Sequence, residues 1–199
     1  MAVSADRQKV PRQRNSREEN EEIIRGEIPE SFAANPHKLS QKDTDARWTK
    51  KNRVNYFGYK NHVKQDVKSK LITCYYVTNA SVHDSNATSI LLNESDKGES
   101  FYADSAYSGA LLETVIAGKG MINQVCEKGA RNHLLTDEQK ASNRKKSRVR
   151  VRIEHIFEFM ENSMNEMYIQ CIGIKRATAI VGLMNLTYNM FRKIQLSTI

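Results

Sequence analysis

From Val54 onward, large or apolar residues alternate with polar ones. The run VNYFGYKNHVKQD does this for thirteen residues, and KLITCYYVT continues in β-branched and aromatic residues. A period of two marks a strand. The polar Val67-Lys68-Ser69 between the runs predicts a β-hairpin. Asp84 is placed to cap a short helix through Ser89-Ile90-Leu91-Leu92. Ser100–Ala103 then reads as a short buried strand ending at Asp104, Gly109–Ala117 as a helix closed by Gly118, and Met121–Cys126 as another strand. Thr136 with Gln139 three residues on is a capping box, and it opens a helical pattern running to about Ser163. Within it, Val149, Ile153, Ile156, Phe157, Met160 and Met164 share one face. A last amphipathic helix covers roughly Lys175–Lys193. A hairpin feeding alternating helices and strands predicts an α/β fold, a mixed sheet with flanking helices.

The stretch ahead of Val54 reads differently. All three prolines, Pro11, Pro29 and Pro36, fall there, and only nine apolar residues lie between Pro11 and Arg53. That is too few for a core, so 1–53 reads as a remnant strand followed by a basic connector or arm, with at most one short helix near Glu18–Arg25, and 54–199 as the core. The charge distribution sharpens this division. The 199 residues carry a net charge of +8, with 1–53 and 135–199 basic and 54–134 neutral. Basic margins around a neutral core suit a polyanionic partner, although solubility charge alone explains a value of this size. The longest apolar stretch, Ala177–Leu186, is interrupted by Asn185 and falls short of the ~18 residues a bilayer span needs. Three scattered cysteines, Cys74, Cys126 and Cys171, argue for a reducing, cytoplasmic setting.

Asp104 closes the predicted strand Phe101-Tyr102-Ala103, and in open α/β sheets ligands bind beyond the strand ends. On position alone the plainer reading is a capping or turn Asp. Glu154 borders the apolar stripe of the long helix, where a surface Glu paired with Arg150 is the plainer reading. Taken together, two carboxylates remote in sequence suit a hard divalent cation, which takes a few carboxylates and keeps several waters. From Lys140 to Arg152 there are seven basic residues and no acidic one. Lys145, Lys146, Arg148, Arg150 and Arg152 are the candidates for contact with a phosphate backbone. The five histidines show no metal-ligand spacing, and His83-Asp84 reads as a structural turn. Trp48 reads as a contact pinning the connector to the core, and Asp43 and Asp45 as capping or turn residues.

These residues sit in stretches that resemble bacterial insertion-sequence transposases of the DDE class. They are PRQRN (11–15), QKDTDARWTKKN (41–52), YFGYKNHVKQD (56–66), VTNASVHDS (77–85), YADSAY (102–107), LTDEQKASNRKKSRVRVRIEHIFEFMENSM (135–164) and IGIKRATAIVGLMNLTYN (172–189). The resemblance implies a ribonuclease H-like fold. It also implies binding of insertion-sequence ends and target DNA, a homodimer on that DNA, and cleavage and strand transfer with two Mg²⁺ (or Mn²⁺) ions. By position, Asp104 matches the second catalytic Asp, Glu154 the catalytic Glu, and Arg150 the Arg before it. Ser147 and Glu161 depart from the wider pattern, where Tyr and Lys are common. Ser4 stands at the position of the first Asp, with Asp6 the nearest acid, so the first strand is expected to be degraded or missing and the chain to be a truncated copy. The alternative reading is a remnant that binds DNA without cutting it; a third is a ribonuclease H-like nuclease acting on RNA.

Overall fold

A computed structural model describes residues 1–9, 14–51, 53–130, 134–164 and 167–198, without the side chains of 2–9 and 51. Pro11 and His133 lie outside the described residues. Among the described residues the elements in chain order are β1 (Ala2–Lys9), α1 (Arg17–Ile24), α2 (Glu30–Ala33), α3 (Pro36–Ser40), β2 (Arg47–Lys51), β3 (Val54–Gln65), β4 (Ile72–Asn79), α4 (Thr88–Leu91), β5 (Ser100–Phe101), α5 (Ala110–Gly118), β6 (Ile122–Asn123), α6 (Asp137–Arg150), α7 (Glu154–Ser163) and α8 (Ile174–Ser197).

The predicted hairpin is β3 and β4, paired antiparallel around a turn in which Asp66 accepts from the Ser69 N–H and hydroxyl. The strand β3 is buried from Phe57 to Gln65: β1, β2 and β4 pair with it, and its Val63 and Tyr59 pack in the clusters of α7 and α8. Each buried polar side chain in its middle has a partner from another element, as burial requires. Tyr59 donates to Asp43 (2.8 Å), Lys60 to Asp84 (2.8 Å), Asn61 to Asn185 (2.8 Å) and Lys64 to Asp96 (2.9 Å). His62 Nε2 lies 2.8 Å from Thr78 Oγ1, and that hydroxyl donates to the Asn79 carbonyl. The order of bonds therefore puts the His62 proton on Nε2 and leaves Nδ1 bare.

Where a degraded or missing first strand was expected, Ala2–Lys9 forms β1 and pairs with β3 from Ala2 opposite Gln65 to Lys9 opposite Gly58. The ladder uses main-chain groups, so the polar run Arg7-Gln8-Lys9 pairs without a strand-like side-chain pattern. The Met1 ammonium donates to the Ser100 carbonyl (2.9 Å), and the Tyr102 N–H donates to the Met1 carbonyl (3.0 Å). That exchange is a parallel bridge between Met1 and Phe101. The bridge links two sheets, one in which β3 pairs antiparallel with β1, β2 and β4 and one in which β5 pairs parallel with β6. The resulting path is β4-β3-β1-β5-β6, with β2 beside the start of β3.

Residues 14–51 hold three short helices and a strand, more order than the single short helix expected there. The reason is a polar anchor that a count of apolar residues does not register. Asp43, fully buried, accepts from Tyr59, from the Asp45 and Ala46 N–H groups and from the Gly173 N–H. Asp45 accepts from the Ile174 N–H, supplying the cap that Gly173 lacks at the start of α8. Trp48 donates to the Asn15 carbonyl and packs on Phe57, the pinning contact expected of it.

The capping box at Thr136 forms as read, and the long helix is broken by a 3-10 turn at Val151–Ile153 into α6 and α7. Apolar residues gather in three clusters. Phe101, Leu112 and Ile116 lead the one beneath α5; Val63, Ile153, Ile156 and Met160 join β3 to α7; Tyr59, Val77, Ala177 and Val181 join the hairpin to α8. Among the described residues no helix is long and apolar enough to cross a membrane, and Cys74, Cys126 and Cys171 are free thiols.

Replacing Asp43 by Ala leaves four donors without their acceptor, and is expected to cost about 3–5 kcal/mol in urea unfolding, against about 1 kcal/mol for Tyr59→Phe. Burial, partly opposed by Asp84, depresses the His62 imidazole to about 4 from 6.5, so the folded protein holds it neutral while the unfolded chain protonates it. Its contribution is complete above about pH 6.5 and is lost as pH falls toward 4, on the order of 3 kcal/mol. Urea midpoints measured across that window should fall more steeply for the native chain than for His62→Gln.

Candidate active site

The end of β5 and the start of α7 supply the two expected carboxylates. After β5, Asp104 caps a 3-10 turn at Ser105–Tyr107, its Oδ1 accepting from the Ala106 N–H (2.9 Å). The local capping role read from sequence is therefore present, and it uses one carboxylate oxygen. Glu154 begins α7, and its Oε1 accepts from Arg150 at 2.7 Å. That i,i+4 pair also matches its plainer reading, and again occupies one oxygen.

Three packing features bring these elements toward one another. Tyr102 packs against the Ile153, Ile156 and Met160 cluster that seats α7. The 3-10 turn preceding Glu154 packs on β1, the strand bridged to Phe101. Tyr107, three residues beyond Asp104, is 3% exposed, and its hydroxyl lies within electrostatic reach of Asp84, Asp104 and Glu154. Burial first, and those three carboxylates after it, hold the phenol well above its usual range. Ser4 and Asp6 both lie on β1, the strand bridged to Phe101 through Met1, where they pair with Val63 and Asn61 of β3.

Asp84 was read as a helix cap. The helix it was read to cap, α4, starts after Ala87 without a side-chain cap. Asp84 instead pairs with buried Lys60 and opens the 3-10 turn Asp84–Ala87, capped by His83, whose Nδ1 accepts from the Ser85 N–H. This turn packs directly against the one after Asp104. A cleft of about 570 Å³ lined by Ser85, Asn86, Ser108 and Gly109 opens beside both turns. A smaller one of about 180 Å³, lined by Tyr107, Asn123, Cys126 and Lys146, lies between the sheet and α6.

The five basic candidates divide. Lys145, Arg148 and Arg152 are exposed along one side of α6 and the following turn, in line with exposed Arg144. Arg152 reaches the Val67 carbonyl (3.3 Å) from that side. Lys146 turns inward to the Val125 carbonyl (3.1 Å) and Glu127, and Arg150 is taken by Glu154. Ser147, where Tyr is common, meets Cys126 at 3.5 Å and sits on the inward side of α6.

Among the described residues no three His, Cys, Asp or Glu side chains are grouped closely enough to hold a metal ion. Asp104 and Glu154 each retain an oxygen outside their described hydrogen bonds, and the buried Tyr107 hydroxyl has no partner among the described residues. Two such carboxylates, with water completing the shell, fit a hard divalent cation. Sequence reasoning passed over Tyr107 and the Lys60–Asp84 pair. The available signal was their presence in the YADSAY, YKNH and VHDS segments.

Comparison with known proteins bears on the whole chain. The pattern described as transposase DDE domain matches residues 4–190. The transposase for insertion sequence element IS1106 from Neisseria meningitidis serogroup B is 26% identical over 166 residues, covering 83% of this chain and 57% of that relative. The chain thus spans little more than half the length of that relative. No solved structure matches. A mixed α/β architecture and a family pattern running from β1 into α8 agree, and the chain belongs to the DDE-class insertion-sequence transposases.

Proposed function

We propose that the chain is a DNA transposase that binds insertion-sequence terminal repeats and target DNA and catalyses their metal-dependent cleavage and strand transfer. The observation that most supports this is the match of residues 4–190 to the transposase DDE domain pattern; beside it, Asp104 and Glu154 both lie within electrostatic reach of the buried Tyr107. A ribonuclease H-like sheet is the reading favoured by the strand order β4-β3-β1-β5-β6 with its antiparallel and parallel halves. Within it, 54–199 carries both carboxylates and the basic ridge, while 1–53 contributes β1 and the segment that fastens α8.

Asp104 and Glu154 would hold Mg²⁺ or Mn²⁺, two ions when the site is filled. Held by these two carboxylates, such ions would supply Lewis-acid chemistry: a lowered pKa for a water or 3′-hydroxyl nucleophile and neutralisation of phosphate charge. Arg150 holds the Glu154 carboxylate in place through its 2.7 Å ion pair. Lys145, Arg148 and Arg152 meet the DNA backbone. Lys146 anchors α6 to the strand end and adds its charge from behind. Soluble action on chromosomal DNA in the cytoplasm accords with the basic surface. A homodimer accords with the outer face of α8, where Leu183, Leu186, Met190, Phe191 and Ile194 are exposed and no acidic residue is present; α1 offers it a second copy's exposed Ile24 among Glu18, Glu21 and Glu22. A second reading, DNA binding without cleavage, is favoured by Ser4 standing on β1 at the position where the family resemblance places a first carboxylate.

Asp104→Asn and Glu154→Gln should each abolish Mn²⁺-dependent nicking of terminal-repeat DNA while leaving binding in a gel-shift assay intact. Nicking that survives both substitutions contradicts the site assignment; binding without nicking by the native chain selects the second reading. For the ridge, Lys145→Ala with Arg148→Ala should weaken binding to any duplex and lower the slope of log affinity against log salt by about 2, since each phosphate contact contributes roughly 0.9.

A further inference from the structure

Tyr107 raises a question that its packing does not answer. Its ring lies in the cluster of Leu91, Phe101, Ala103, Leu112 and Ile116, where a phenylalanine would pack equally well. Among the described residues the hydroxyl has no hydrogen-bond partner, although Tyr107 is only 3% exposed. A buried hydroxyl left unmade costs roughly 1–3 kcal/mol, so this one is a standing penalty on the ligand-free protein. It is also no generic core defect. The hydroxyl sits in the field of Asp84, Asp104 and Glu154, at the junction of two packed turns, one of which Asp104 itself caps. The other neighbouring carboxylates do not take the hydroxyl: Asp84 pairs with Lys60, Glu127, across the small cleft, pairs with Lys146, and exposed Glu113 lines that cleft without bonding to it. What the hydroxyl lacks is an oxygen acceptor that is absent when the protein is alone.

We propose that Tyr107 is a ligand-binding residue of the active site, its hydroxyl donating to an oxygen that enters with the bound species. The shared chemistry is an electron-rich oxygen, supplied either by water brought in with a divalent cation or by a phosphate of the DNA. This rests on the site reading above and adds to it a neutral donor among carboxylates. Such a donor binds an oxygen ligand without adding the positive charge that would compete with the cation for Asp104 and Glu154. The retained proton follows from the same surroundings: burial beside negative charge keeps the phenol a donor.

The test compares the full chain with Tyr107→Phe and Asp104→Asn by thermal unfolding, alone, with Mn²⁺, and with duplex DNA in EDTA. Because Phe removes an unpaired hydroxyl and keeps the ring, Tyr107→Phe should unfold at the native temperature or above when alone. It should also bind one of the two probes about tenfold more weakly, the loss of one hydrogen bond. A loss confined to Mn²⁺ identifies the water source, and one confined to DNA identifies the phosphate source. If Tyr107→Phe keeps the native response to both probes, or lowers stability alone with those responses intact, the hydroxyl is structural and the proposal fails. If Asp104→Asn leaves the native Mn²⁺ response unchanged, the site reading itself fails and takes this inference with it. A response abolished by Asp104→Asn and intact in Tyr107→Phe removes only the role of Tyr107.

Discussion

The requirement that a polar strand buried from Phe57 to Gln65 find partners shapes this molecule. β3 runs through its centre, and from Tyr59 to Lys64 successive side chains are satisfied by different parts of the chain: the connector at Asp43, the turn after β4 at Asp84, α8 at Asn185, β4 at Thr78, the apolar cluster with α7 at Val63, and the segment before β5 at Asp96. Breaking a buried ion pair on one side costs roughly 3–5 kcal/mol, several times the net gain from a typical surface pair. Such bonds specify where each element must lie more sharply than a greasy surface would, because a slipped neighbour leaves a charge unpaired in the interior.

The candidate active site inherits its position from that arrangement. Lys60 fixes the turn that begins with Asp84, and that turn packs on the one capped by Asp104. Val63 and Ile72 provide the floor on which Ile153 and Ile156 seat the start of α7, and hence Glu154. β1 lies between, pairing with β3 along one edge and bridging to Phe101 at its beginning. The carboxylates themselves are modestly bound, each with one oxygen engaged locally. The cost of assembling the site is therefore carried by the strand behind it, and the polar groups facing the ligand remain available.

Much of this was legible in the sequence, and the parts that were not share a cause. α6 and α7 could be read because a capping box and an apolar stripe are local signals, and Glu154 could be placed at the stripe's edge from the same period. The β3–β4 hairpin was equally plain. The burial of both faces of β3 was not, since alternation looks the same whether the polar side meets water or matched partners from far along the chain. Order in 14–51 was missed for the same reason: Asp43 makes its bonds to Tyr59 and Gly173, separations that no local pattern encodes. β1 was underestimated because main-chain pairing leaves no requirement on Arg7, Gln8 and Lys9. Tyr107 could be seen only as part of a motif, because an unpaired hydroxyl is a property of the folded interior.

The central claim is that Asp104 and Glu154, fifty residues apart, face one divalent-ion site. Fe²⁺ in place of Mg²⁺, with ascorbate and peroxide, generates hydroxyl radicals that cut the backbone beside the bound ion, and mass spectrometry locates the cuts. The account predicts paired cleavage flanking both Asp104 and Glu154, suppressed together by excess Mg²⁺ and by Asp104→Asn. Cleavage beside only one of the two residues, or at a distant position that Mg²⁺ does not protect, would contradict it.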